Sequence, residues 1–401
     1  MAEYPIAGRI PNSNARGRVR VAIVINFLTT YRESFYSKLL QVDWIDVTIF
    51  CHLPPRNLNI NSIHTKFESN VRIIDGKFFF SEKAVLSQLP WRELFSTFDI
   101  VFVEGNPRYL SFALLASALQ LAKRPVVLWT MIHSYRDSYL GLSTRMLWNR
   151  LFNRILVYSD AEADYLKQVG ITARVVGINN GIDIDTIDLA ARHWTDERLS
   201  RWQTDQAMEG KVLILSCARL EKKNKFDQVI PALKQAIKVM PNIIWCIVGG
   251  GPESETLQEM ARVAGLERNV RLLGSIYAEE DLSPWFLTAH FLVHPGAIGL
   301  SLLHAFAYCL PVVTHSNARH HGPEFSAFRS GETGLTYLED TPQGLADAIL
   351  KMLSDPERCA SMGQSGRNVV EQSFNTALMV ERFLMMIDNP LSTASMSVTD
   401  R

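Results

Sequence analysis

The sequence predicts an α/β protein built from two doubly wound parallel sheets. Three observations support this fold class. Short apolar runs rich in β-branched residues alternate with helical patterns, as in parallel sheets covered by helices. The alternation starts again after a polar stretch at 191–210. A chain of 401 residues is also long enough for two domains that each bury a core.

The first sheet is predicted from five apolar runs in the front half of the chain. The run VRVAIVINF at 19–27 is bounded by polar residues, which is typical of a buried parallel strand. The other four runs lie at 44–50, 99–105, 125–131 and 154–160. Helical patterns such as ESFYSKLLQV and RYLSFALLASALQLAKR lie between them. This alternation predicts parallel strands joined by helical crossovers.

The second sheet is predicted from a second set of apolar runs. They lie at 211–220, 242–251, 270–276, 291–296 and 311–315, and the amphipathic pattern TALMVERFLMMID follows much later. The predicted organisation is a disordered tail at 1–16, one Rossmann-like domain at 17–190, a second at 191–375, a helix at 376–388 and a frayed tail at 389–401.

Composition narrows the class of function. Lys plus Arg and Asp plus Glu both number 41, and this balance disfavours a general nucleic-acid binder, which would carry a basic excess. The five cysteines form no C-x-x-C pattern, which suits a reducing compartment. The first residues lack the apolar core of a secretory signal, and no apolar stretch reaches the ~20 residues of a membrane span. We therefore expect a cytoplasmic protein that is either soluble or peripheral on the inner face of the cell membrane.

The segment HPGAIGLSLLHAFAYCLPVVTH at 294–315 predicts a strand, a turn and a helix that starts near Ser301. Ser301 is expected to cap this helix. The backbone N–H groups of Gly299, Leu300 and Ser301 would then favour a bound phosphate. The alternative is an ordinary strand–turn–helix unit without a ligand. A doubly wound fold contains many such units, so this segment alone favours the alternative.

Two further segments follow predicted strands of the second sheet. Arg219 lies at the end of one strand, with Lys222, Lys223 and Lys225 close behind. Ligands of open α/β sheets bind at the carboxyl ends of strands, and Arg and Lys there suit a pyrophosphate. The alternative is a solvated basic loop. The segment IVGGGPE, which contains Gly250, would let a ligand approach the backbone, but a single glycine-rich turn is a weak signal.

In the front half, His133 follows the predicted strand at 125–131. A histidine at this edge could contact a substrate hydroxyl or transfer a proton, although a structural histidine is the more common case. Glu104 and Arg108 follow a neighbouring strand and are weaker candidates of the same kind.

Taken together, the motifs resemble family 4 glycosyltransferases of the GT-B fold. The resemblance extends from about residue 18 to 388. It depends on RILVYSDAEADYLKQVGI, NNGID, ARLEKKNKF, VGGGPE, VRLLGSI and PGAIGLSLLHAFAYCLPVV, in this order. It implies two Rossmann-like domains that face a central cleft, and a last helix that crosses back to the first domain. It also implies metal-independent, retaining transfer from a nucleotide sugar, with no cofactor.

The resemblance also implies roles for individual residues. Arg219 and a nearby lysine would stabilise the leaving diphosphate, so Arg219 is counted as both donor-binding and catalytic. His133 would lie near the transferred sugar and the acceptor. Asn180 would lie on the acceptor side of the cleft together with Glu104 and Arg108.

The sequence departs from the family pattern where two glutamates are usual. Gly296 and His304 occupy their positions. His304 keeps the ability to hydrogen-bond a ribose, whereas Gly296 has no side chain to hold a sugar. Glu324, in a loop after the next strand, is the proposed substitute for the missing carboxylate.

A second departure affects the lysine that usually follows the arginine. Asn224 occupies its position, so Lys223 or Lys225 would have to replace it. The sequence does not choose between them.

The segment STRMLWNRLFNR at 143–154 mixes arginines with large apolar residues. It is compatible with a helix lying on an anionic membrane surface. The alternative, a helix whose apolar side packs in the core, is favoured because Leu151 and Phe152 directly precede a predicted strand.

The leading hypothesis is a glycosyltransferase that moves a hexose to a glycan or lipid-linked glycan in bacterial polysaccharide biosynthesis. Two alternatives stay open. The missing glutamates suggest a catalytically degenerate binding subunit of a glycan-assembly complex. A nucleotide-sugar epimerase would need an acid and a base on opposite faces of the sugar, and the sequence shows no such pair.

Overall fold

The computed structural model describes residues 17–55, 62–79, 84–132 and 139–388. These residues form two compact units. Unit 1 contains the chain up to Asn179 and again from Ala377, and unit 2 runs from Asn180 to Thr376. The predicted tails at 1–16 and 389–401 lie outside the described residues.

Unit 1 is built on a parallel sheet of seven described strands in the order β3-β2-β1-β6-β7-β8-β9. The strands are β1 (Val19–Phe27), β2 (Ile45–His52), β3 (Val71–Ile73), β6 (Ile100–Glu104), β7 (Val126–Thr130), β8 (Arg154–Val157) and β9 (Arg174–Gly177), with β4 (Gly76–Phe79) and β5 (Ala84–Ser87) in a separate hairpin. The helices are α1 (Glu33–Leu40), α2 (Trp91–Ser96), α3 (Leu110–Leu121), α4 (Tyr139–Asn149) and α5 (Asp160–Gln168).

Both faces of this sheet are covered, as its continuous apolar strands require. Side chains of β1 alternate between two cores: Val21 and Ile23 belong to one and Ala22 and Val24 to the other. The last helix, α14 (Thr376–Leu384), completes the first of these cores. Its Phe383 ring stacks on Phe102 of β6, with ring centroids 4.0 Å apart.

Unit 2 is built on a parallel sheet of six described strands in the order β12-β11-β10-β13-β14-β15. The strands are β10 (Val212–Cys217), β11 (Ile243–Val248), β12 (Val270–Gly274), β13 (Phe291–His294), β14 (Val312–His315) and β15 (Gly334–Tyr337). The helices are α6 (Ile184–Arg192), α7 (Asp196–Asp205), α8 (Val229–Val239), α9 (Ser254–Ala264), α10 (Glu279–Thr288), α11 (Leu300–Ala307), α12 (Pro342–Leu353) and α13 (Pro356–Ser373).

The boundary between the units differs from the predicted one after residue 190. The structure divides the chain at Asn179, before α6, so α6 and α7 both belong to unit 2. Ile187 of α6 is buried in a core of unit 2, and Trp202 of α7 packs against the same core. The polar segment at 191–210 that suggested a seam therefore contains the end of α6 and the whole of α7, which packs Trp202 against the core of unit 2.

Several short strands have no counterpart in the prediction. They are β3, β4, β5, β9 and β15, each of three or four residues. The strands β3, β9 and β15 lie at the edges of the two large sheets. Each of the five strands is too short to contain the long apolar run on which the prediction depended.

The apolar residues of the basic segment at 143–154 are divided between the core and the surface. Met146 and Phe152 are buried in a core of unit 1, whereas Leu147 and Leu151 are exposed. The guanidinium group of Arg145 donates to the carbonyl of Ile132 at 2.7 Å. Within the described part of the chain, no helix is both long and apolar enough to span a bilayer.

Candidate functional site

The order of the strands in unit 2 defines where a ligand site is expected. From β10 the chain continues to β11 and β12 on one side and then returns to β13 on the other side of β10. Ligands of open parallel sheets bind at such a switch point, outside the carboxyl ends of the two central strands. The segments that follow β10 and β13 are therefore the walls of the candidate site.

These two segments contact each other through their backbones at Gly296. A Cβ atom on Gly296 would lie 2.3 Å from the carbonyl oxygen of Lys223 and 2.5 Å from the Cα of Asn224. The amide of Ala297 donates to the same Lys223 carbonyl at 3.3 Å. No side chain fits at position 296 while this contact exists. The glycine that replaces a usual glutamate is thus required by local packing.

The glycine-rich segment after β11 packs against the segment after β10 in a similar way. A Cβ on Gly249 would lie 1.9 Å from the carbonyl oxygen of Ala218, and one on Gly251 would lie 2.4 Å from that of Leu220. The carbonyl of Gly250, predicted to bind donor, accepts from the amide of Leu220 at 2.9 Å. The segments after β10, β11 and β13 therefore form one backbone platform.

Two cationic side chains, Arg219 and Lys223, extend from this platform and share one carboxylate. Arg219 Nη2 lies 3.2 Å from Glu221 Oε1, and Lys223 Nζ lies 2.9 Å from Glu221 Oε2. The hydrogen bond from Lys223 lowers the pKa of Glu221. Their side chains remain 56% and 62% exposed, respectively, so both can reach an anionic ligand.

Lys225, the other candidate for the missing lysine, is held differently. Its Nζ lies 2.8 Å from Glu339 Oε1 and 2.7 Å from Asp340 Oδ1, and its side chain is 22% exposed. Burial raises the pKa of Glu339, but hydrogen bonds from Lys225 and other neighbours outweigh this and bring it to about 2. Lys225 thus pairs with two carboxylates away from Arg219, whereas Lys223 shares Glu221 with Arg219.

Asn224, at the position of the usual lysine, holds the turn after β10 through a side-chain hydrogen bond. Its side chain is buried, and Nδ2 donates to the carbonyl of Arg219 at 2.7 Å. This bond closes the turn that carries Arg219 and Lys223.

The helix predicted to start near Ser301 begins one residue earlier. The N-cap residue of α11 is Gly299, and no side chain caps the helix. The expectation that Ser301 caps it is wrong, because Ser301 already lies in the first turn. Leu300 is the first helical residue.

The Glu324 carboxylate lies beside the start of α11. Its Oε2 is 3.5 Å from the place that a Cβ on Gly299 would occupy. Its Oε1 accepts from Asn180 Nδ2 at 2.8 Å, and both residues are buried. The structure therefore brings Asn180, predicted on the acceptor side, into unit 2 next to a predicted donor-side carboxylate.

His304 is paired with a carboxylate that the sequence did not reveal. Its Nε2 lies 2.8 Å from Glu279 Oε1, and the hydroxyl of Tyr308 donates to the same oxygen at 2.6 Å. Burial raises the pKa of Glu279, but these hydrogen bonds outweigh it and the net pKa is lowered. The only sequence signal was an acidic first turn in the pattern AEEDL, which any helix start shows.

Through its contact with His304, Glu279 lies against α11, the helix that follows β13. Burial and the Glu279 carboxylate together raise the pKa of the Cys217 thiol, at the end of β10, to about 12. A carboxylate thus lies near the crevice although position 304 itself carries a histidine.

Unit 1 has its own switch point between β1 and β6. Glu104 ends β6, and its Oε2 accepts from the amide of Asn26 at 2.6 Å. Burial raises the pKa of Glu104. Arg108 is exposed on the following turn. His133 lies outside the described residues.

Sequence reasoning missed Arg32, which lies after β1. It is buried, and its guanidinium carbon lies 4.7 Å from the centroid of the Trp129 ring and 5.4 Å from that of Tyr158. Nothing in the local pattern TTYRES distinguishes it from a surface arginine.

Comparison with protein families gives two matches that lie side by side. The family described as "Glycosyltransferase Family 4" matches residues 38–186, and "Glycosyl transferases group 1" matches residues 200–369.

Two curated relatives each match less than half of this chain, at 30% identity or below. A GDP-mannose-dependent alpha-(1-6)-phosphatidylinositol monomannoside mannosyltransferase of Mycolicibacterium smegmatis is 30% identical over 42% of this chain and 46% of its own length. A lipopolysaccharide core biosynthesis glycosyltransferase of Rhizobium meliloti is 22% identical over 44% of this chain and 49% of its own length. The chain spans about half the length of these curated relatives.

Solved structures match over nearly the whole chain. The Anabaena protein HepE, solved in complex with UDP, has a TM-score of 0.68 at 16% identity and covers 94% of this chain and 100% of its own. Sucrose-phosphate synthase of Thermosynechococcus elongatus has a TM-score of 0.62 at 16% identity and covers 95% and 100%. These similarities show the fold.

Proposed function

The chain belongs to family 4 of the glycosyltransferases and has the GT-B fold, and on this premise we propose that it transfers a hexosyl group from a nucleoside-diphosphate sugar to a glycan or lipid-linked glycan. The observation that supports this most directly is the pair of exposed cations, Arg219 and Lys223, on the glycine platform at the switch point of unit 2. A leaving diphosphate is the chemical group that such a pair fits.

The proposed chemistry depends on the leaving group. As the bond from the sugar to the diphosphate breaks, negative charge grows on the diphosphate oxygens. The guanidinium group of Arg219 can bind two of them at once, while Lys223 adds a point charge. Cations placed in advance stabilise this charge without reorganisation. We therefore propose metal-independent transfer without a cofactor, and retention of configuration as in the family that the sequence resembles.

We assign ribose recognition to Glu279, with His304 as its positioning residue. His304 and Tyr308 both contact the same carboxylate oxygen of Glu279, Oε1. The second oxygen is then suited to accept from two ribose hydroxyls. This arrangement would replace the usual glutamate at position 304.

Glu279→Gln is expected to raise the KM for the donor about tenfold to a hundredfold with a smaller change in kcat, because a hydrogen bond to a charged group contributes ~1.5–3 kcal/mol. Steady-state kinetics with varied donor measures this. Glu280→Gln, in the same helical turn and exposed, is the matched control. A donor KM that stays unchanged in Glu279→Gln would remove this residue from the site.

The acceptor is proposed to be a glycan or a lipid-linked glycan of a bacterial polysaccharide or glycolipid, reached in the cytoplasm at the inner face of the membrane. The curated relatives support this class, since their names include a phosphatidylinositol mannoside and a lipopolysaccharide core. The base of the donor nucleotide has to be identified by experiment. The name of one relative includes GDP-mannose, and HepE was solved in complex with UDP.

A thermal-shift screen against UDP, GDP, ADP and CMP tests the proposal first. A ligand that binds only the folded state at a hundred times its Kd stabilises it by ~2.7 kcal/mol. We expect one nucleoside diphosphate to raise Tm, and the matching nucleotide sugar to release that diphosphate when an acceptor is present. Binding without turnover on a panel of donors and acceptors would instead support a degenerate binding subunit. No shift with any nucleotide would contradict the donor site.

A further inference from the structure

A cleft of about 490 Å³ opens in unit 2 between α7, α10 and the segment that follows β12. Its size falls in the ~300–1,000 Å³ range of small-ligand sites. We call it the tryptophan cleft. Its lining includes Trp194, Trp202, Trp285, Tyr277, Gln206 and Asp281.

The aromatic rings of this cleft are held in place. The rings of Trp202 and Trp285 meet edge to face at 4.7 Å and 86°, and those of Trp194 and Trp202 at 6.2 Å and 74°. The indole N–H of Trp194 donates to the carbonyl of Glu280 at 3.0 Å. Tyr277, in contrast, is 85% exposed at the rim. Rigid aromatic rings offer contact area at low entropic cost.

The polar groups of the cleft suit a neutral ligand. Asp281 is the charged residue of its described lining. Beside the lining, the guanidinium carbon of Arg198 lies 5.2 Å from the centroid of the Trp194 ring, and Arg271 Nη1 donates to the carbonyl of Gln206 at 2.6 Å. Hydroxyl groups of a ligand can donate to Asp281 and bond to the side-chain amide of Gln206.

The cleft lies on a different side of α10 from the residues at the switch point. Glu279 contacts His304 of α11, and Ser283 contacts Tyr308, the residue directly after α11. Trp285 instead contacts Trp202 on α7. The helix thus separates two sets of side chains.

We propose that the tryptophan cleft is a second, non-catalytic site that binds a neutral pyranose unit of a glycan. The apolar C–H face of a pyranose fits the aromatic rings, and its hydroxyl groups fit Asp281 and Gln206. This goes beyond the proposed transfer reaction, although the choice of a glycan as ligand rests on that reaction. Such a site would hold a growing chain on the enzyme between transfers.

The test is a calorimetric titration of the full chain with neutral α-linked manno- and gluco-oligosaccharides of two to four units. Tyr277→Ala should weaken binding about tenfold, as expected for one aromatic contact. Asp281→Asn should weaken it as well. Trp91→Ala, an exposed aromatic residue on α2 in unit 1, is the matched control and should bind like the wild type. Tyr277 is too exposed for its loss to unfold the chain.

Three results would overturn the proposal: no oligosaccharide binding, equal affinity in all variants, or weaker nucleotide binding in Tyr277→Ala. The last result would place the cleft in the donor site. Arg219→Ala separates the two proposals, because it should reduce nucleotide binding and leave oligosaccharide binding intact. Oligosaccharide binding by a chain that never transfers sugar would refute the transfer reaction and support the cleft.

Discussion

Arg219→Ala should lower the rate of glycosyl transfer about a hundredfold to a thousandfold, the usual effect of losing one group that stabilises developing charge. The Arg219 side chain is 56% exposed and forms an ion pair with Glu221, which Lys223 shares. Removing it therefore takes positive charge from the diphosphate site while the surrounding backbone keeps its hydrogen bonds. We expect Tm without ligand to stay close to that of the wild type.

Steady-state kinetics and thermal unfolding of the same samples test this prediction. Arg262→Ala is the matched control, because Arg262 is 61% exposed and its ion pair with Glu259, at 2.7 Å, also lies in unit 2. The control should keep wild-type activity. Full activity in Arg219→Ala would show that the leaving diphosphate binds elsewhere.

Gly296→Ala should both destabilise unit 2 and disable the site. The added methyl group would lie 2.3 Å from the Lys223 carbonyl oxygen, so the backbone at 223–224 must move. Overpacking of this kind costs ~1–3 kcal/mol. Because the displaced segment carries Lys223 and adjoins Arg219, nucleotide binding should fall as well. By the same argument, Gly296→Glu should not restore the family's usual sugar contact.

Urea unfolding and nucleotide titration measure the two effects. Gly331→Ala is the control, since a Cβ there meets nothing within 4 Å and only the positive φ of 85° opposes the change. Gly331→Ala should lower the free energy of unfolding less than Gly296→Ala does. It should leave nucleotide binding unchanged. If Gly296→Ala matched this control in both measurements, the contact between the two segments would have no role in shaping the site.

Much of the fold was predictable because the central strands have strong local signals. The run at 19–27 corresponds to β1, and the runs at 242–251 and 311–315 contain β11 and β14. Each is buried on both faces, which demands continuous apolar sequence. The edge strands β9 (RVVG) and β15 (GLTY) contain no long apolar run, so the pattern missed them.

Candidate site residues could be predicted only where a side chain of suitable chemistry directly follows a predicted strand. Arg219 became a candidate because a cation directly follows an apolar run, which places it at the carboxyl edge of the sheet. The choice between Lys223 and Lys225 depended on Glu339 and Asp340, more than a hundred residues away. No local pattern carries that information.

The sequence by itself thus determined two parallel sheets, the edges at which the candidate ligand-binding residues lie, and the resemblance to family 4 glycosyltransferases. The sheets and their edges follow from periodicity and residue type, and the resemblance follows from the order of the motifs along the chain. Only the tertiary structure decided that Gly296 has no room for a side chain, that Asn180 pairs with Glu324, and that Glu279 stands beside His304. These contacts join segments from different strands and helices, and packing alone determines which side chains meet.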